Sequence, residues 1–332
     1  MEQINFNAFI VREIGKNSFS GAVCETSTQE LPDGDVLIRV HYSSLNYKDA
    51  LSATGNRGVT KNYPHTPGID ASGVVVESKS DKVKPGDEVL VTGYDLGMNT
   101  SGGFGQYIRV PAGWVVKLPP TMSLKESMIL GTAGFTAGMS VFQIIRDIST
   151  EDGEILVTGA TGGVGSIAVS LLSALGYAVV GVSGKSDAHY FLKSLGAKEI
   201  ISREDAVDKS GRPVLKGRWA GVVDTVGGDI LATAIKSTLS WAVVTCCGLV
   251  ASADLPVNVF PFILRGVKLI GIDSQNCPMD HRLAIWKLFA DGWKSSYPDG
   301  FYKEISLKEL DGNISLILEG KQKGRVLVDL IS

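Results

Sequence analysis

A glycine-rich segment in the middle of the chain, residues 158–165 with the sequence TGATGGVG, constrains the fold more than any other feature. It follows an apolar run at 155–157 that is typical of a strand buried on both faces. It precedes a segment of helical periodicity that ends at Gly176. Glycines between a strand and a helix let the backbone approach a pyrophosphate, and the helix N-terminus favours its negative charge. The segment predicts a dinucleotide site, although Ala160 stands where the first glycine is usual. The alternative is a glycine-rich turn without a ligand.

Two kinds of sequence pattern divide the chain. Short segments rich in β-branched residues and bounded by Gly and Pro occupy the first third, which predicts an antiparallel barrel or sandwich. The strands predicted there are 36–40, 73–77, 88–92 and 114–118. From residue 154 onward strand and helix patterns alternate, which predicts a doubly wound parallel sheet. Helical patterns at 281–291 and 306–319 then lead to a closing strand at 325–328. The predicted fold class is α/β, with a β-rich domain beside the doubly wound one.

Composition excludes several classes of protein. The 332 residues are enough for about two domains. The net charge of −3 is far from the basic excess that nucleic-acid binding requires. Four cysteines without a CxxC pair indicate neither a disulfide scaffold nor a structural zinc site. The first 15 residues lack a secretory pattern, and no apolar run approaches the roughly 18–20 residues of a membrane span. We expect a soluble cytoplasmic protein without a nucleic-acid or membrane partner.

The end of the second predicted strand, Val182-Ser183-Gly184-Lys185, indicates which dinucleotide is bound. An enzyme that uses NAD usually has an acidic residue here, which would repel a 2′-phosphate. Ser183 can instead donate a hydrogen bond, and Lys185 supplies a positive charge. Arg203, after the third strand, could reach the same phosphate or could be a solvated surface residue. The sequence favours NADPH.

Five segments carry a resemblance to a known family: 46–51 (NYKDAL), 67–70 (PGID), 131–137 (GTAGFTA), 261–266 (PFILRG) and 271–274 (GIDS). With the central glycine-rich segment, they make the chain resemble the medium-chain dehydrogenase/reductase superfamily, and within it the zinc-free YhdH/YhfP-type NADPH acrylyl-CoA reductases, often described as quinone oxidoreductases. Zinc-dependent members have a cysteine near the position of Asn46 and a Gly-His-Glu segment near 67–70, and this chain has neither. No metal site is therefore expected.

The resemblance implies a domain organisation. Residues 1–126 would form the first part of a GroES-like catalytic domain, 127–264 a Rossmann domain, and 265–332 a return to the catalytic domain. The last Rossmann strand would lie near 267–271, where superfamily members often pair across a two-fold axis, so a homodimer is expected.

The resemblance also implies site residues. The residues implied for catalysis are Asn46, Tyr47, Asp49, Asp70 and Arg325. Those implied for cofactor binding are Tyr47, Thr132, Thr136, Gly162, Gly163, Val164, Gly165, Ser183, Gly184, Lys185, Arg203, Leu249, Ile263 and Ser274. Structural alternatives remain open: Asp70 and Arg325 as a buried ion pair, Asn46 and Asp49 as helix caps, and Tyr47 as a core aromatic.

The implied reaction is NADPH-dependent reduction of the C=C bond of acrylyl-CoA or a similar short α,β-unsaturated acyl thioester. Hydride addition to the β-carbon gives an enolate, which donors around Asn46, Tyr47 or the cofactor ribose would stabilise. One alternative is reduction of quinones or 2-alkenals. An alternative of another class is a non-catalytic NADPH sensor, and RNA binding is disfavoured by the charge.

Overall fold

The computed structural model describes residues 3–185, 188–293 and 297–331. The chain divides into two compact units. Unit 1 comprises Met1–Thr132, Gln275–Asp291 and Tyr302–Ser332, and unit 2 comprises Ala133–Ser274 and Gly292–Phe301. The divisions after Thr132 and Ser274 lie 6 and 10 residues after the boundaries expected at 126 and 264, and residues 292–301 belong to unit 2 rather than to the expected return segment.

Fifteen strands and eight helices are formed by the described residues. The strands are β1 (Asn5–Gly15), β2 (Ser18–Ser27), β3 (Val36–Ser44), β4 (Asp70–Ser78), β5 (Glu88–Thr92), β6 (Tyr107–Val110), β7 (Val116–Lys117), β8 (Glu154–Val157), β9 (Val179–Val182), β10 (Glu199–Ile201), β11 (Trp219–Asp224), β12 (Thr238–Cys246), β13 (Lys268–Gly271), β14 (Tyr302–Ser306) and β15 (Arg325–Asp329). The helices are α1 (Tyr47–Ala53), α2 (Leu124–Ile145), α3 (Gly163–Ala174), α4 (His189–Ser194), α5 (Gly228–Lys236), α6 (Phe260–Arg265), α7 (Met279–Asp291) and α8 (Leu310–Leu318), with 3₁₀ turns at Ala112–Trp114 and Leu307–Glu309.

Unit 1 is built on a seven-stranded sheet with the order β14-β15-β3-β4-β5-β7, in which β6 also pairs with β3. Side chains such as Ile38, Val89, Phe104 and Val326 fill its core. The strand β3 is antiparallel to both β4 and β15. Its carboxyl end at Ser44 therefore lies beside the starts of β4 and β15, which brings together residues that are far apart in sequence.

Unit 2 contains a six-stranded sheet with the order β10-β9-β8-β11-β12-β13, and every pair in it is parallel. The chain leaves β8 toward β9 on one side and returns to β11 on the other, so the strand order reverses between β8 and β11. This confirms the predicted doubly wound sheet. Dinucleotides bind outside the carboxyl ends of the strands at such a reversal, which is where the glycine-rich segment lies.

Helix α2 corrects one expectation from the sequence. With 22 residues and a mean hydropathy of 1.5 in its most apolar window, it is long and apolar enough to cross a membrane. By length and composition alone, the expectation that the chain has no apolar stretch as long as a membrane span is therefore wrong. Gly, Ala, Ser and Thr interrupt its large apolar residues and hide its length when single runs are examined. However, 72% of that window is buried inside the protein, as is typical of a core helix.

Candidate active site and cofactor site

The first site lies in unit 1, at the strand ends described above, and Asp70 is its centre. Asp70, the first residue of β4, is fully buried. Its Oδ2 accepts hydrogen bonds from Ser44 Oγ at 2.7 Å and Asn46 Nδ2 at 2.8 Å. Its Oδ1 accepts the Thr132 hydroxyl at 2.6 Å, and the Thr132 backbone N–H reaches both oxygens. Four groups on three segments thus hold this carboxylate in one orientation.

Arg325, the first residue of β15, is 3% exposed and meets the same groups from the other side. Its Nη2 donates to Ser44 Oγ at 2.9 Å and its Nη1 to Asn46 Oδ1 at 3.3 Å. Its Nε donates to Ile129 O at 2.9 Å. Ser44 and Asn46 each link Asp70 to Arg325. The carboxylate and the guanidinium therefore belong to one buried network, which joins elements from both ends of the sequence through Ser44 and Asn46.

Gly131 allows helix α2 to take part in this network. Its φ of 52° kinks the helix. A Cβ atom there would lie 2.5 Å from Asp70 Oδ2 and Ser44 Oγ, and 3.0 Å from Arg325 Nη2. Only glycine accommodates both the backbone angle and the close approach. The kink presents the N–H of the next residue, Thr132, to Asp70.

Asp49 is the second fully buried carboxylate of unit 1. Its Oδ1 accepts the backbone N–H groups of Gly68 at 3.1 Å and Ile69 at 2.8 Å, and its Oδ2 accepts that of Asn46 at 2.8 Å. Burial, and then the neighbouring charge of Asp70, raise its pKa from 3.8 to about 7. Asn46 is the N-cap of α1 and Asp49 accepts its N–H, so the capping alternative is correct for this contact. The same contacts fix Asn46 and the start of β4.

Asn46 and Tyr47 differ in the hydrogen bonds that they make. Asn46 Nδ2 lies within hydrogen-bond distance of three protein acceptors, Ser44 O, Asp49 Oδ2 and Asp70 Oδ2, and it has only two hydrogens to donate. Tyr47 is half-buried at the start of α1. Its hydroxyl makes no hydrogen bond to any residue that the structure describes. Of these two side chains, Tyr47 is therefore the one whose donor hydrogen makes no hydrogen bond to a described residue.

The donor set of unit 1 does not fit zinc. Zinc in proteins is held by Cys, His and carboxylate ligands, whereas Asn46 stands at the expected cysteine and both carboxylates accept N–H and O–H donors. Within residues 3–185, 188–293 and 297–331, no group of three or more His, Cys, Asp or Glu side chains could hold a metal ion.

The second site lies in unit 2, where β8 leads through the glycine-rich turn into α3. Gly162 is the N-cap of α3, and no side chain among the described residues caps this helix. The N–H groups of Gly163, Val164 and Gly165 have no partner within the helix. A Cβ at Gly165 would lie 2.3 Å from Gly159 O, so close packing requires this glycine, whereas one at Gly162 would meet only Gly159 O at 3.4 Å. The turn offers donors to an anion on an open side.

The predicted 2′-phosphate residues come together at the ends of β9 and β10. The Arg203 side chain lies across Gly184, since a Cβ there would be 3.0 Å from its Cδ and Nε atoms. Ser183 Oγ accepts the backbone N–H of Lys185 at 3.1 Å. The structure thus places a guanidinium, a hydroxyl and a lysine on adjacent segments. A phosphate monoester is the type of ligand that such donors recognise.

The other predicted cofactor residues are distributed over both units. Thr132 belongs to unit 1, where its hydroxyl is bonded to Asp70. Thr136 is buried within α2, and Ser274 is half-buried after β13. Leu249 and Ile263 are 64% and 68% exposed in unit 2. Their contacts with a cofactor stay predictions.

Sequence reasoning missed Ser44, Thr158 and Asp224, which hold other site residues in place. Thr158 directly follows β8, and Asp224 is the last residue of the adjacent strand β11. The Thr158 hydroxyl donates a hydrogen bond to Asp224 Oδ1 at 2.7 Å. A polar residue at the carboxyl end of a predicted parallel strand was a usable signal for both. Ser44 gave no such signal, because its role depends on the pairing of β3 with β4 and β15.

Comparisons with known proteins show the family to which the chain belongs. The family models of the alcohol dehydrogenase GroES-like domain and the zinc-binding dehydrogenase match residues 32–120 and 163–290. The putative quinone oxidoreductase YhfP of Bacillus subtilis is 46% identical over 92% of this chain and 93% of its own. Its solved structure with NAD bound has a TM-score of 0.95, with 43% identity over 98% of this chain and 100% of that one. The probable acrylyl-CoA reductase AcuI of Escherichia coli is 44% identical over 90% of this chain and 92% of its own.

A further solved structure is similar over nearly the whole chain. The yhdH oxidoreductase of Salmonella enterica, in complex with NADP, has a TM-score of 0.93, with 40% identity over 97% of this chain and 99% of that one. A GroES-like unit combined with a Rossmann unit defines the class of medium-chain dehydrogenases and reductases. The chain belongs to this superfamily, in the quinone oxidoreductase-type group that includes YhfP and AcuI, which confirms the resemblance found in the sequence.

Proposed function

We propose that the protein is an NADPH-dependent oxidoreductase that reduces the C=C bond of acrylyl-CoA or a similar short α,β-unsaturated acyl thioester. The observation that carries the proposal is the buried network of Asn46, Asp70 and Arg325, in which Asn46 and Asp70 stand in the two segments where zinc-dependent relatives carry metal ligands. Alcohol oxidation must stabilise an alkoxide, which is the usual task of that metal. Hydride addition to a conjugated C=C bond requires only a polarised carbonyl and a proton source. The similarity to AcuI supports the thioester as substrate.

The residues of unit 2 fit NADPH. The N–H groups of Gly163, Val164 and Gly165 would hold its pyrophosphate, and Ser183 and Arg203 its 2′-phosphate. When bound, NADPH would supply the hydride that adds to the β-carbon of the substrate.

The residues of unit 1 would stabilise the product of that addition. Negative charge then develops on the thioester oxygen, which requires a hydrogen-bond donor. The amide hydrogens of Asn46 are engaged by protein acceptors, so we assign this donor role to the Tyr47 hydroxyl. Asn46 and Asp70 act by fixing the start of α1, and Arg325 fixes both. Water or a side chain delivers the proton to the α-carbon.

Replacing Tyr47 by phenylalanine is expected to lower kcat by about 100-fold, the usual effect of removing one oxyanion donor. The dissociation constant of NADPH should change by less than about threefold, because the phosphate ligands lie in unit 2. Steady-state kinetics and fluorescence titration measure the two effects. Tyr63→Phe is the matched control, since the Tyr63 hydroxyl donates to Ser52 O of α1. If the Tyr47→Phe variant had the same kcat as this control, the donor role assigned to Tyr47 would be wrong.

The proposed reaction is tested by following NADPH absorbance while acrylyl-CoA is titrated to saturation. Saturable oxidation that requires the thioester supports the proposal. Coenzyme A alone is the blank, and a quinone and a 2-alkenal are run as rival substrates, since YhfP is described as a putative quinone oxidoreductase. Efficient turnover of the quinone with weak saturation by acrylyl-CoA would refute the proposal in favour of that activity. Oxidation of NADPH by none of them would indicate a non-catalytic role.

Replacing Arg203 by alanine is expected to raise KM for NADPH by about tenfold or more, because a charge-assisted phosphate contact is lost. KM for NADH should stay within about twofold, since NADH has no 2′-phosphate. Kinetics with both cofactors measure the change in preference. Arg212→Ala removes an exposed arginine of the same loop and serves as control. An equal effect on both cofactors would place Arg203 away from the 2′-phosphate.

We also propose that the protein is a cytoplasmic homodimer. Strand β13 is an edge of the parallel sheet, and edge strands are ready to pair with another chain. Exposed apolar side chains also lie in unit 2, with Trp241 at 72% and Leu264 at 65% exposure. Sedimentation of the purified protein measures the oligomeric state. The proposed cytoplasmic location rests on the proposed function and is tested by fractionating cells that express the protein.

A further inference from the structure

Asp224, the last residue of β11, is fully buried at the carboxyl edge of the parallel sheet. Its Oδ1 accepts the Thr158 hydroxyl at 2.7 Å. Its Oδ2 accepts the backbone N–H groups of Gly227 at 2.8 Å and Val226 at 3.3 Å. A carboxylate is suited to this place, because it accepts on both oxygens and carries no hydrogen of its own.

Thr158 connects this carboxylate to the glycine-rich turn. Besides donating to Asp224, its hydroxyl accepts the backbone N–H of Thr225 at 3.0 Å. Its carbonyl oxygen accepts the Thr225 hydroxyl at 2.9 Å. The next residue, Gly159, approaches so closely that a Cβ would lie 2.3 Å from Thr225 Oγ1. With the Thr158 N–H, which donates to Val223 O at 3.0 Å, the beginning of the turn is fixed to the end of β11 by four hydrogen bonds and direct contact.

The loop after β12 is fixed to the same residue. The backbone oxygen of Asp224 accepts the N–H of Cys247 at 3.0 Å. A Cβ at Gly248 would lie 1.9 Å from Thr225 O, so this loop also packs directly on the end of β11. Leu249 follows, and it is predicted to lie on the nicotinamide side of the cofactor. One residue thus links the turn predicted to bind the pyrophosphate with the loop predicted to reach the other end of the cofactor.

We infer that Asp224 and Thr158 form a positioning pair for the dinucleotide, which fixes the glycine-rich turn to the end of β11, where the backbone also holds the loop at 247–249. The inference rests on the proposed cofactor and adds residues to which no role was assigned. The proposed role of the pair requires no contact with the cofactor. It acts by holding two loops in the positions that let both bind one extended ligand, because a rigid site avoids the free-energy cost of ordering on binding.

The test is the dissociation constant of NADPH, measured by fluorescence titration of the full chain without thioester. Thr158→Val keeps the β-branched shape but removes the hydroxyl, and we expect it to weaken NADPH binding by about tenfold or more. Thr158→Ser restores a hydroxyl and should bind within about threefold of the original chain. Asp224→Asn should weaken binding too. The losses of affinity should not add fully in the double variant, because either change alone breaks the shared Thr158–Asp224 hydrogen bond.

Tyr177→Phe is the matched control. Its hydroxyl donates to Ile148 O at 2.7 Å in a buried hydrogen bond of the same unit, at the opposite end of the strands. We expect the control to lower Tm as Thr158→Val does, with unchanged NADPH affinity. The inference would be overturned if Thr158→Val bound NADPH as well as the control, or if both variants weakened binding equally. Because no thioester is present, a chain that binds NADPH but reduces no acrylyl-CoA refutes the proposed reaction and leaves this inference standing.

Discussion

Replacing Arg325 by alanine is expected to lower kcat by about 100-fold or more, with NADPH affinity changed by less than about threefold. The side chain donates to Ile129 O, Ser44 Oγ and Asn46 Oδ1 in a buried setting. Its removal leaves these acceptors without their donor and takes the guanidinium out of the network that holds the buried carboxylate of Asp70. Breaking such a network costs on the order of 3–5 kcal/mol. Asn46 and the start of α1 then lose their fixed position, and Tyr47 with them.

Arg325→Lys guards against an unfolded alanine variant, because it keeps the charge but not the set of directed donors. Its turnover should lie between those of the alanine variant and the original chain. The control Arg109→Ala removes a half-buried arginine of unit 1 that donates to Thr28 O. Circular dichroism confirms folding, and steady-state kinetics measure kcat. Unchanged turnover in a folded Arg325→Ala variant would show that the network is not needed for the reaction.

The free energy of unfolding is expected to fall as the pH rises from about 4 to 7, and Asp49 is the cause. Its pKa is raised from 3.8 to about 7 in the folded chain. Between these values the folded state binds more protons than the unfolded state, so raising the pH favours unfolding. A shift of this size corresponds to on the order of 4 kcal/mol. Below about pH 4 the carboxyl is protonated in both the folded and the unfolded state. Above about pH 7 it is ionised in both states, and its contribution to the free energy of unfolding changes no further.

Asp49→Asn should remove this slope, because an amide does not titrate in the window. Urea unfolding at several pH values measures it. The amide also places a donor against the N–H groups that Asp49 accepts, so lower stability at every pH is expected, and the slope is the diagnostic quantity. Asp87→Asn is the control, since a hydrogen bond from Lys117 lowers the pKa of Asp87. That residue titrates below the window. An unchanged slope in Asp49→Asn would assign the titration to another group.

The parallel sheet could be predicted from the sequence because its strands are continuous apolar runs alternating with helices. Strands that depend on distant partners were harder to predict. Residues 302–306 form β14, which pairs in parallel with β15, although their pattern was assigned partly to a helix at 306–319. The strand expected at 114–118 is reduced to β7, because the 3₁₀ turn at Ala112–Trp114 precedes it. The ribbon of β1 and β2 escaped notice because half of its residues are polar.

The residues of the candidate site could likewise be predicted from the sequence, whereas their contacts could not. Asn46, Asp49, Asp70 and Arg325 could be proposed from the resemblance, and the structure brings all four into one network. Their connections could not be predicted, since they depend on Ser44 and on the register of three strands. The kink at Gly131 likewise follows from a close approach that is visible only in three dimensions. Local periodicity predicts elements well, whereas contacts between their ends depend on tertiary packing.

The position of Arg325 on β15 has a consequence for the order in which the protein is made. Asp70 is synthesised early, whereas Arg325 is synthesised only after the whole parallel sheet of unit 2. Until β15 emerges from the ribosome, residues 42–44 of β3 lack the strand that pairs with them, and Asp70 lacks the guanidinium of its network. The sheet of unit 2 needs no residue beyond Gly271 and is complete in sequence before that point. A growing chain would therefore complete its cofactor site well before its catalytic one.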